Sequence, residues 1–193
     1  MRKELLDGER IFVVHDLLSI DECAALQLRS EDMVFERGTV GGQVVDAARN
    51  NDRVLFDDVA LADDIFGRVR GCLPDREGEV PVGFNERWRF YRYDRGQTFT
   101  PHRDGAYIRV RERQESRMTF MVYLSDDVVG GETRFFLRME DAFAGRAWLA
   151  VRPRSGMALV FEHRVWHEGA AVASGRKVVL RTDVMYGRPA AAR

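Results

Sequence analysis

The chain has 193 residues, 45% of them hydrophobic and 32% charged, with a formal net charge of -1 at neutral pH. That length suits one domain with a real core, and that balance excludes a disordered chain. The near-zero charge argues against a general nucleic-acid binder, which needs a basic face, and no apolar run is long enough to span a bilayer. The opening stretch, Met1 to Asp7, breaks any signal-like apolar segment with charges. The only cysteines, Cys23 and Cys72, fall in helix-like segments and read as apolar fillers in a reducing compartment, not as a disulfide framework. The expectation is a cytoplasmic protein with neither a nucleic-acid nor a membrane partner.

Ile11-Phe12-Val13-Val14 is apolar and β-rich and predicts a first strand. Ser19-Ile20-Asp21-Glu22 is a capping box, so a helix starts before Cys23. Gly38 to Gly42 reads as a flexible loop. Asp58 to Cys72 spaces Val59, Leu61, Ile65, Phe66 and Val69 as a helix does, and Leu73-Pro74-Asp75 ends it. From residue 86 onward short β-type runs alternate with turn signals: Trp88 to Tyr93, Met118 to Leu124, Arg134 to Leu137, Ala147 to Val151, Met157 to Phe161 and Arg176 to Tyr186. Such spacing predicts a sandwich or barrel. The architecture expected is α+β, mainly β, in a single domain over 1–193. A helical support layer over 1–85 packs on a barrel-like core over 86–187.

The chemistry concentrates at Pro101-His102-Arg103-Asp104 and Trp166-His167-Glu168-Gly169. Two imidazoles and one carboxylate can hold iron(II) on one face and leave the other face open. On a strand, residues i and i+2 point the same way. His102 and Asp104 can therefore both face a barrel interior while Arg103 points out, and His167 arrives from a second strand after Met157 to Phe161. Zinc is the rival metal, since the same ligands can run a hydrolysis. The three residues can also be unrelated. His15 reads as a turn or surface residue, and His163 as structural, near a strand end.

The residues around these ligands resemble a known family. The stretch Arg92 to Asp104, with Tyr93, Gly96, Gln97, His102 and Asp104, resembles the Tyr-x-x-Gly-Gln…His-x-Asp strand of iron(II)- and 2-oxoglutarate-dependent oxygenases, prolyl 4-hydroxylase-like branch. Tyr123-Leu124-Ser125-Asp126 and Gly130-Gly131-Glu132-Thr133 resemble its Tyr-Leu-Asn-Asp…Gly-Gly-Glu-Thr signature. Pro153 to Phe161, His167-Glu168-Gly169 and Gly175-Arg176-Lys177 resemble its closing strands. About half the chain is covered, and the order and spacing of the motifs carry the specificity.

The resemblance implies a double-stranded β-helix, or jelly roll, with supporting helices. It implies that His102, Asp104 and His167 bind iron(II), with 2-oxoglutarate as co-substrate, O2 as oxidant and ascorbate in support. It implies that Lys177, about ten positions past the second His, pairs with the far carboxylate of 2-oxoglutarate. Tyr123 matches a position that supplies a supporting hydroxyl, and Tyr93 another near the co-substrate. Lys177, Val179, Arg181 and Asp183 share one strand face, so Arg181 is the alternative anchor. It is equally a partner for Asp183 or a contact for a charged substrate.

The implied reaction is hydroxylation of an unactivated C–H bond in a small molecule or a protein side chain. Asp104 favours hydroxylation, because related halogenases carry a small residue there. Prolyl hydroxylases carry a Trp near position 183 and another just after the Lys. This chain has Asp183 and Val178, a departure that weakens a peptidyl-proline reading. The charged loop Gly105 to Glu115 reads as a mobile lid or a plain solvated loop, and Gly38 to Gly42 as a second lid. The alternatives are a jelly-roll binding or sensor module without turnover, a zinc cupin-type hydrolase or isomerase, and, more weakly, a nucleic-acid demethylase.

Overall fold

A computed structural model of the chain describes residues 1–39, 43 and 47–189. The expected loop at Gly38 to Gly42 falls in part outside these, at Val40, Gly41 and Gly42. In chain order the elements are β1 (Arg2–Asp7), β2 (Ile11–His15), α1 (Ile20–Glu31), β3 (Glu36–Arg37), β4 (Asp52–Asp57) and α2 (Val59–Val69). A 3-10 turn over Arg70–Cys72 extends α2, and β5 (Val80–Phe84), β6 (Arg87–Tyr93), β7 (Phe99–His102) and β8 (Ile108–Arg109) follow. The remainder is β9 (Gln114–Tyr123), β10 (Val128–Gly130), β11 (Thr133–Phe136), α3 (Met139–Phe143), β12 (Leu149–Val151), β13 (Ala158–Glu162), β14 (Trp166–Gly169), β15 (Val172–Gly175) and β16 (Lys177–Gly187).

The strands form a jelly roll of two antiparallel layers. The large sheet runs β1-β2-β13-β9-β16-β6-β4-β3, with β5 also on β16 and β8 also on β9. The small sheet runs β12-β11-β14-β7, and β10 pairs with β15 at one rim. The period-2 alternation of side chains sorts the core into two slabs. One face of the large sheet packs Phe12, Trp88, Phe90, Phe120, Val122, Val160 and Leu180 against Cys23 of α1 and Ala62, Ile65 and Val69 of α2. The other face packs Tyr91, Tyr93, Met121, Tyr123, Leu159, Phe161 and Val179 against Phe135 and Val151 of the small sheet. β16 lies between the two slabs and is buried along its whole length. A strand covered on both faces reads as one continuous apolar run, and this explains why Val178-Val179-Leu180 stands out in the sequence.

The capping box at Ser19 closes both ways: the Glu22 amide donates to the Ser19 hydroxyl at 3.1 Å, and the Ser19 amide donates to the Glu22 carboxylate at 2.8 Å. Asp58 caps α2 by accepting from the Leu61 amide at 2.9 Å. The helices thus sit where the sequence places them. Besides the expected first strand, β2, the helical layer expected over 1–85 also carries β1, β3, β4 and β5, which extend the large sheet. The physical reason is that they lie at or next to the rims of the sheet. β1 (Arg-Lys-Glu-Leu-Leu-Asp) and β4 (Asp-Arg-Val-Leu-Phe-Asp) are charged and only half buried, so their apolar signal is weak. The segment Gly105 to Glu115, expected as a lid or a solvated loop, contains a short hairpin, with Ile108 opposite Glu115 and a turn closed by Arg113 at φ 55°. Among the described residues no helix is long and apolar enough to cross a membrane. Cys23 is buried, Cys72 is partly so, and both are free thiols.

Gly156 turns the chain into β13 at φ +77°, and a Cβ there would sit 2.1 Å from the Leu18 carbonyl oxygen. Gly145 has a similar φ of +65° but open space around it. Gly145→Ala is expected to cost about 1 kcal/mol, the left-handed backbone penalty alone. Gly156→Ala should cost clearly more, at least about 2 kcal/mol, because a backbone clash adds to that strain. Urea unfolding of the two variants measures the difference.

Candidate active site

β7 and β14 are antiparallel neighbours in the small sheet, and their register sets His167 directly opposite His102. The two rings lie with centroids 4.2 Å apart. Asp104 completes the group: its Oδ1 is 3.9 Å from His102 Nε2 and its Oδ2 is 3.6 Å from His167 Nε2. One donor atom from each of the three residues fits within 4.8 Å. Asp104 is not held by strand alternation, as expected, because β7 ends at His102. Its amide instead donates to the His163 carbonyl at 3.0 Å, which fixes the backbone just past the strand. Arg103 points away and lays its guanidinium over the Trp166 ring at 4.7 Å.

The donor set fits a divalent metal. His102 Nδ1 lies 2.8 Å from the Thr100 carbonyl and His167 Nδ1 lies 3.0 Å from the Val165 carbonyl. A carbonyl only accepts, so each Nδ1 carries the proton and each Nε2 presents a lone pair toward Asp104. Burial, then the neighbouring His167, pushes His102 down to about 3, and burial also lowers His167. Both rings are neutral at physiological pH, as a ligand requires. Burial alone would raise the Asp104 carboxyl. Arg181, His167, His102 and a hydrogen bond from Thr119 outweigh it and hold Asp104 well below the usual carboxylate range.

Asp104 is gripped from the large sheet. Arg181 Nη2 lies 2.9 Å from its Oδ1, and the Thr119 hydroxyl donates to its Oδ2 at 2.5 Å. Arg181 also reaches the Thr119 hydroxyl at 3.2 Å and Asp183 at 3.2 Å. Despite burial, Asp104 and Asp183 together raise Arg181 above its ordinary range. His163 stands behind this group with Nδ1 3.0 Å from the Thr119 hydroxyl and Nε2 2.9 Å from the Ser116 hydroxyl. With both nitrogens engaged it is structural. His15, by contrast, ends β2 and pairs with Glu4 at 2.8 Å.

A small cavity of about 40 Å³ opens beside the imidazoles. Tyr93, Thr133, Lys177 and Arg181 line it with the three candidate ligands. Lys177 is 1% exposed, and its ammonium donates to the Gly131 carbonyl at 2.7 Å. Burial pushes it down to about 7, opposed in part by Glu132. Gly131, at φ +69°, lets the loop approach: a Cβ there would lie 3.3 Å from the Lys177 stem. Lys177 also stands over the rings of Tyr93 and Tyr123, at 5.0 and 5.6 Å. Tyr123 does not line the cavity; its hydroxyl pairs with Thr133 at 2.7 Å, and Thr133 faces the cavity. Burial raises both tyrosine hydroxyls, so they stay protonated. A wider depression of about 250 Å³ also reaches Asp104, between Ala106, Arg117 and His163.

Sequence reasoning passed over Thr119 and Thr133, and also Tyr91 and Phe99 on the cavity wall. Thr119 alternates with Met121 and Tyr123 on β9, and Thr133 ends the Gly-Gly-Glu-Thr run, so both carried a readable signal.

A jelly roll with two imidazoles and one carboxylate converging at its mouth is the frame of a non-haem iron oxygenase. The model of the 2OG-Fe(II) oxygenase superfamily matches residues 88–182. The chain belongs to that superfamily, whose name carries its cofactors, iron(II) and 2-oxoglutarate. Prolyl 4-hydroxylase 1 of Arabidopsis thaliana is 27% identical over 187 residues, covering 87% of this chain. The chain spans 66% of that relative's length. A Pseudomonas putida prolyl-4-hydroxylase structure aligns at TM-score 0.63 and 19% identity over 94% of each chain. The viral collagen prolyl hydroxylase of Paramecium Bursaria Chlorella virus-1, in complex with 2-oxoglutarate, aligns at 0.63 and 18% over 96% of this chain and 100% of that one. Both share the fold.

Thr119→Val removes one hydroxyl that serves Asp104, His163 and Arg181 at once. Metal affinity is expected to fall about 10- to 100-fold, as for other partners of metal ligands. Stability should fall by about 1–3 kcal/mol from the buried groups left unpaired. Manganese titration and thermal unfolding read the two effects.

Proposed function

We propose that this protein is an iron(II)- and 2-oxoglutarate-dependent dioxygenase that hydroxylates an unactivated C–H bond of a small molecule or of a protein side chain. The observation that carries this reading is one cavity holding both halves of the machinery: three convergent metal donors at one end and a buried, hydrogen-bonded ammonium at the other. The metal and 2-oxoglutarate, when bound, supply the activation of O2 that no side chain can provide.

His102, Asp104 and His167 would hold iron(II) and leave its other positions free. Lys177 would pair with the far carboxylate of 2-oxoglutarate, with the Thr133 hydroxyl, steadied by Tyr123, alongside. A buried carboxylate needs such partners to offset its lost hydration. Tyr93, Phe99 and Phe161 wall the cavity and exclude water, which strengthens these pairings and protects reactive species. Arg181 is engaged with Asp104 and Asp183, so Lys177 is the anchor and Arg181 the positioner of the carboxylate ligand.

The complete ligand set speaks for turnover over a mere binding role, and Asp104 speaks for hydroxylation. The three relatives named above are prolyl hydroxylases. Asp183 and Val178, where that group carries tryptophans, speak for a different substrate.

Two outcomes test this reading. With iron(II) and ascorbate, the protein should release succinate from 2-oxoglutarate, and His102→Ala should lose both metal retention and turnover. Lys177→Ala should keep the metal and raise the 2-oxoglutarate requirement by at least about tenfold, the scale of one charge-assisted hydrogen bond. Absence of metal binding, 2-oxoglutarate binding and uncoupled turnover together would overturn the proposal.

A pH signature follows from Lys177. Its ammonium sits near 7 in the empty site, so it is mostly neutral above that pH. A bound carboxylate favours the charged form and draws a proton onto it. Binding of 2-oxoglutarate should therefore take up close to one proton at about pH 8.5 and almost none at about pH 5.5. Calorimetry in buffers of different ionisation heat counts that proton, and Lys177→Ala should abolish the uptake.

A further inference from the structure

Beside the metal centre the inner wall carries four arginines against two carboxylates. Arg89 and Arg181 are cross-strand partners on β6 and β16, and Arg53 of β4 is opposite Tyr91 of β6. Arg49 enters from the segment before β4 and lays its guanidinium over Tyr91 at 4.6 Å and over Phe99 at 4.3 Å. Phe99 in turn stacks on the His102 ring, with centroids 3.5 Å apart. Arg49 is thus one ring beyond a candidate metal ligand.

The compensation is uneven. Arg181 has Asp104 and Asp183, and Arg89 has Asp183 at 3.4 Å. Among the described residues no carboxylate lies within ion-pair distance of Arg49 or Arg53. Arg49 is 4% exposed, its Nε donates only to the neutral Asn51 side chain at 2.8 Å, and its Nη2 is buried without a partner. Arg53 donates to the Thr39 hydroxyl at 2.6 Å and leaves its Nε buried and unpartnered. Burial, and then the charges of Arg49 and Arg89, push Arg53 down, while Arg181, Arg49 and Arg89 overcome burial to pull the Tyr91 hydroxyl down. The wall is a place of strongly positive potential, and buried cations without counter-charges are costly.

We infer that the wall formed by Arg49, Arg53 and Arg89 around Tyr91 is a substrate subsite that takes a carboxylate, so the molecule hydroxylated here is an organic acid held by that group beside the metal. As a substrate site it rests on the oxygenase reading above. A guanidinium lying flat on two rings offers its edge as a planar fork, the match for a carboxylate. Lys177, opposite Tyr93 on the neighbouring strand, is set aside for 2-oxoglutarate, so the two anions have separate partners. A neutral peptidyl proline offers the Arg49 Nη2 a carbonyl oxygen but no counter-charge.

The probe is trifluoroacetate, with trifluoroacetamide as its neutral counterpart. Each is titrated into protein loaded with manganese(II) and 2-oxoglutarate, and into metal-free protein, while the fluorine line width is followed. Trifluoroacetate should broaden saturably and trifluoroacetamide should not. Arg49→Gln should weaken trifluoroacetate binding about tenfold, with Arg49→Lys retaining part of it and 2-oxoglutarate affinity unchanged in both. Arg89→Gln gives a second variant if Arg49→Gln does not fold. Equal broadening by acid and amide, no broadening by either, or trifluoroacetate binding indifferent to Arg49→Gln and Arg89→Gln would overturn the inference. Failure of manganese and 2-oxoglutarate to bind would instead sink the oxygenase reading, while the metal-free titration still reads the subsite.

Discussion

The site depends on one strand pairing, His102 of β7 opposite His167 of β14. A slip of one residue in an antiparallel pair turns every side chain to the other face. Here it would send one imidazole outward and leave a single ligand with Asp104. The register is held by what surrounds it. β11 pairs with β14 through four consecutive residues on its other side, and Phe135 and Phe161 pack against the His167 ring. The Thr98 hydroxyl donates to the Gly169 carbonyl at 2.7 Å and pins the far end of the pair.

Electrostatics complete what the register begins. A carboxylate as buried as Asp104 would protonate if it stood alone. The Arg181 guanidinium and the Thr119 hydroxyl keep it ionised without a metal, so the anion is ready for a cation. Lys177 shows the opposite arrangement: buried, hydrogen-bonded to one carbonyl and pushed toward neutrality, it gains most from an arriving anion. On the proposed reading the two groups are complementary, one prepared for a metal ion and one for a dicarboxylate. Arg49 extends the same logic to a third group, and the unpartnered Nη2 is its mark.

Much of this was legible in the sequence. The central strands read clearly because both of their faces are buried, as in β16 and β13. The capping box at Ser19 placed α1, and the spacing of Val59, Leu61, Ile65, Phe66 and Val69 placed α2. His102, Asp104, His167 and Lys177 could be singled out by order and spacing, and the structure brings these four around one cavity. Strands at or next to a rim, such as β1 and β4, escaped notice because solvent covers one side and charges interrupt the pattern. β7 was read from its ligands as a strand reaching Asp104, whereas it spans four residues and ends at His102. The Arg49 contacts are tertiary, and no local pattern announces them. Tyr123 was expected to supply a supporting hydroxyl; that hydroxyl pairs with Thr133, which lines the cavity, a distinction of one side-chain length that sequence alone does not resolve.

Anomalous scattering at the iron edge, from crystals grown without oxygen in the presence of iron(II) and 2-oxoglutarate, tests the account most directly. A single strong peak bonded to Nε2 of His102, Nε2 of His167 and one oxygen of Asp104, with 2-oxoglutarate reaching Lys177, is the result expected. Iron seated elsewhere, or bonded to only one of the two imidazoles, would contradict it.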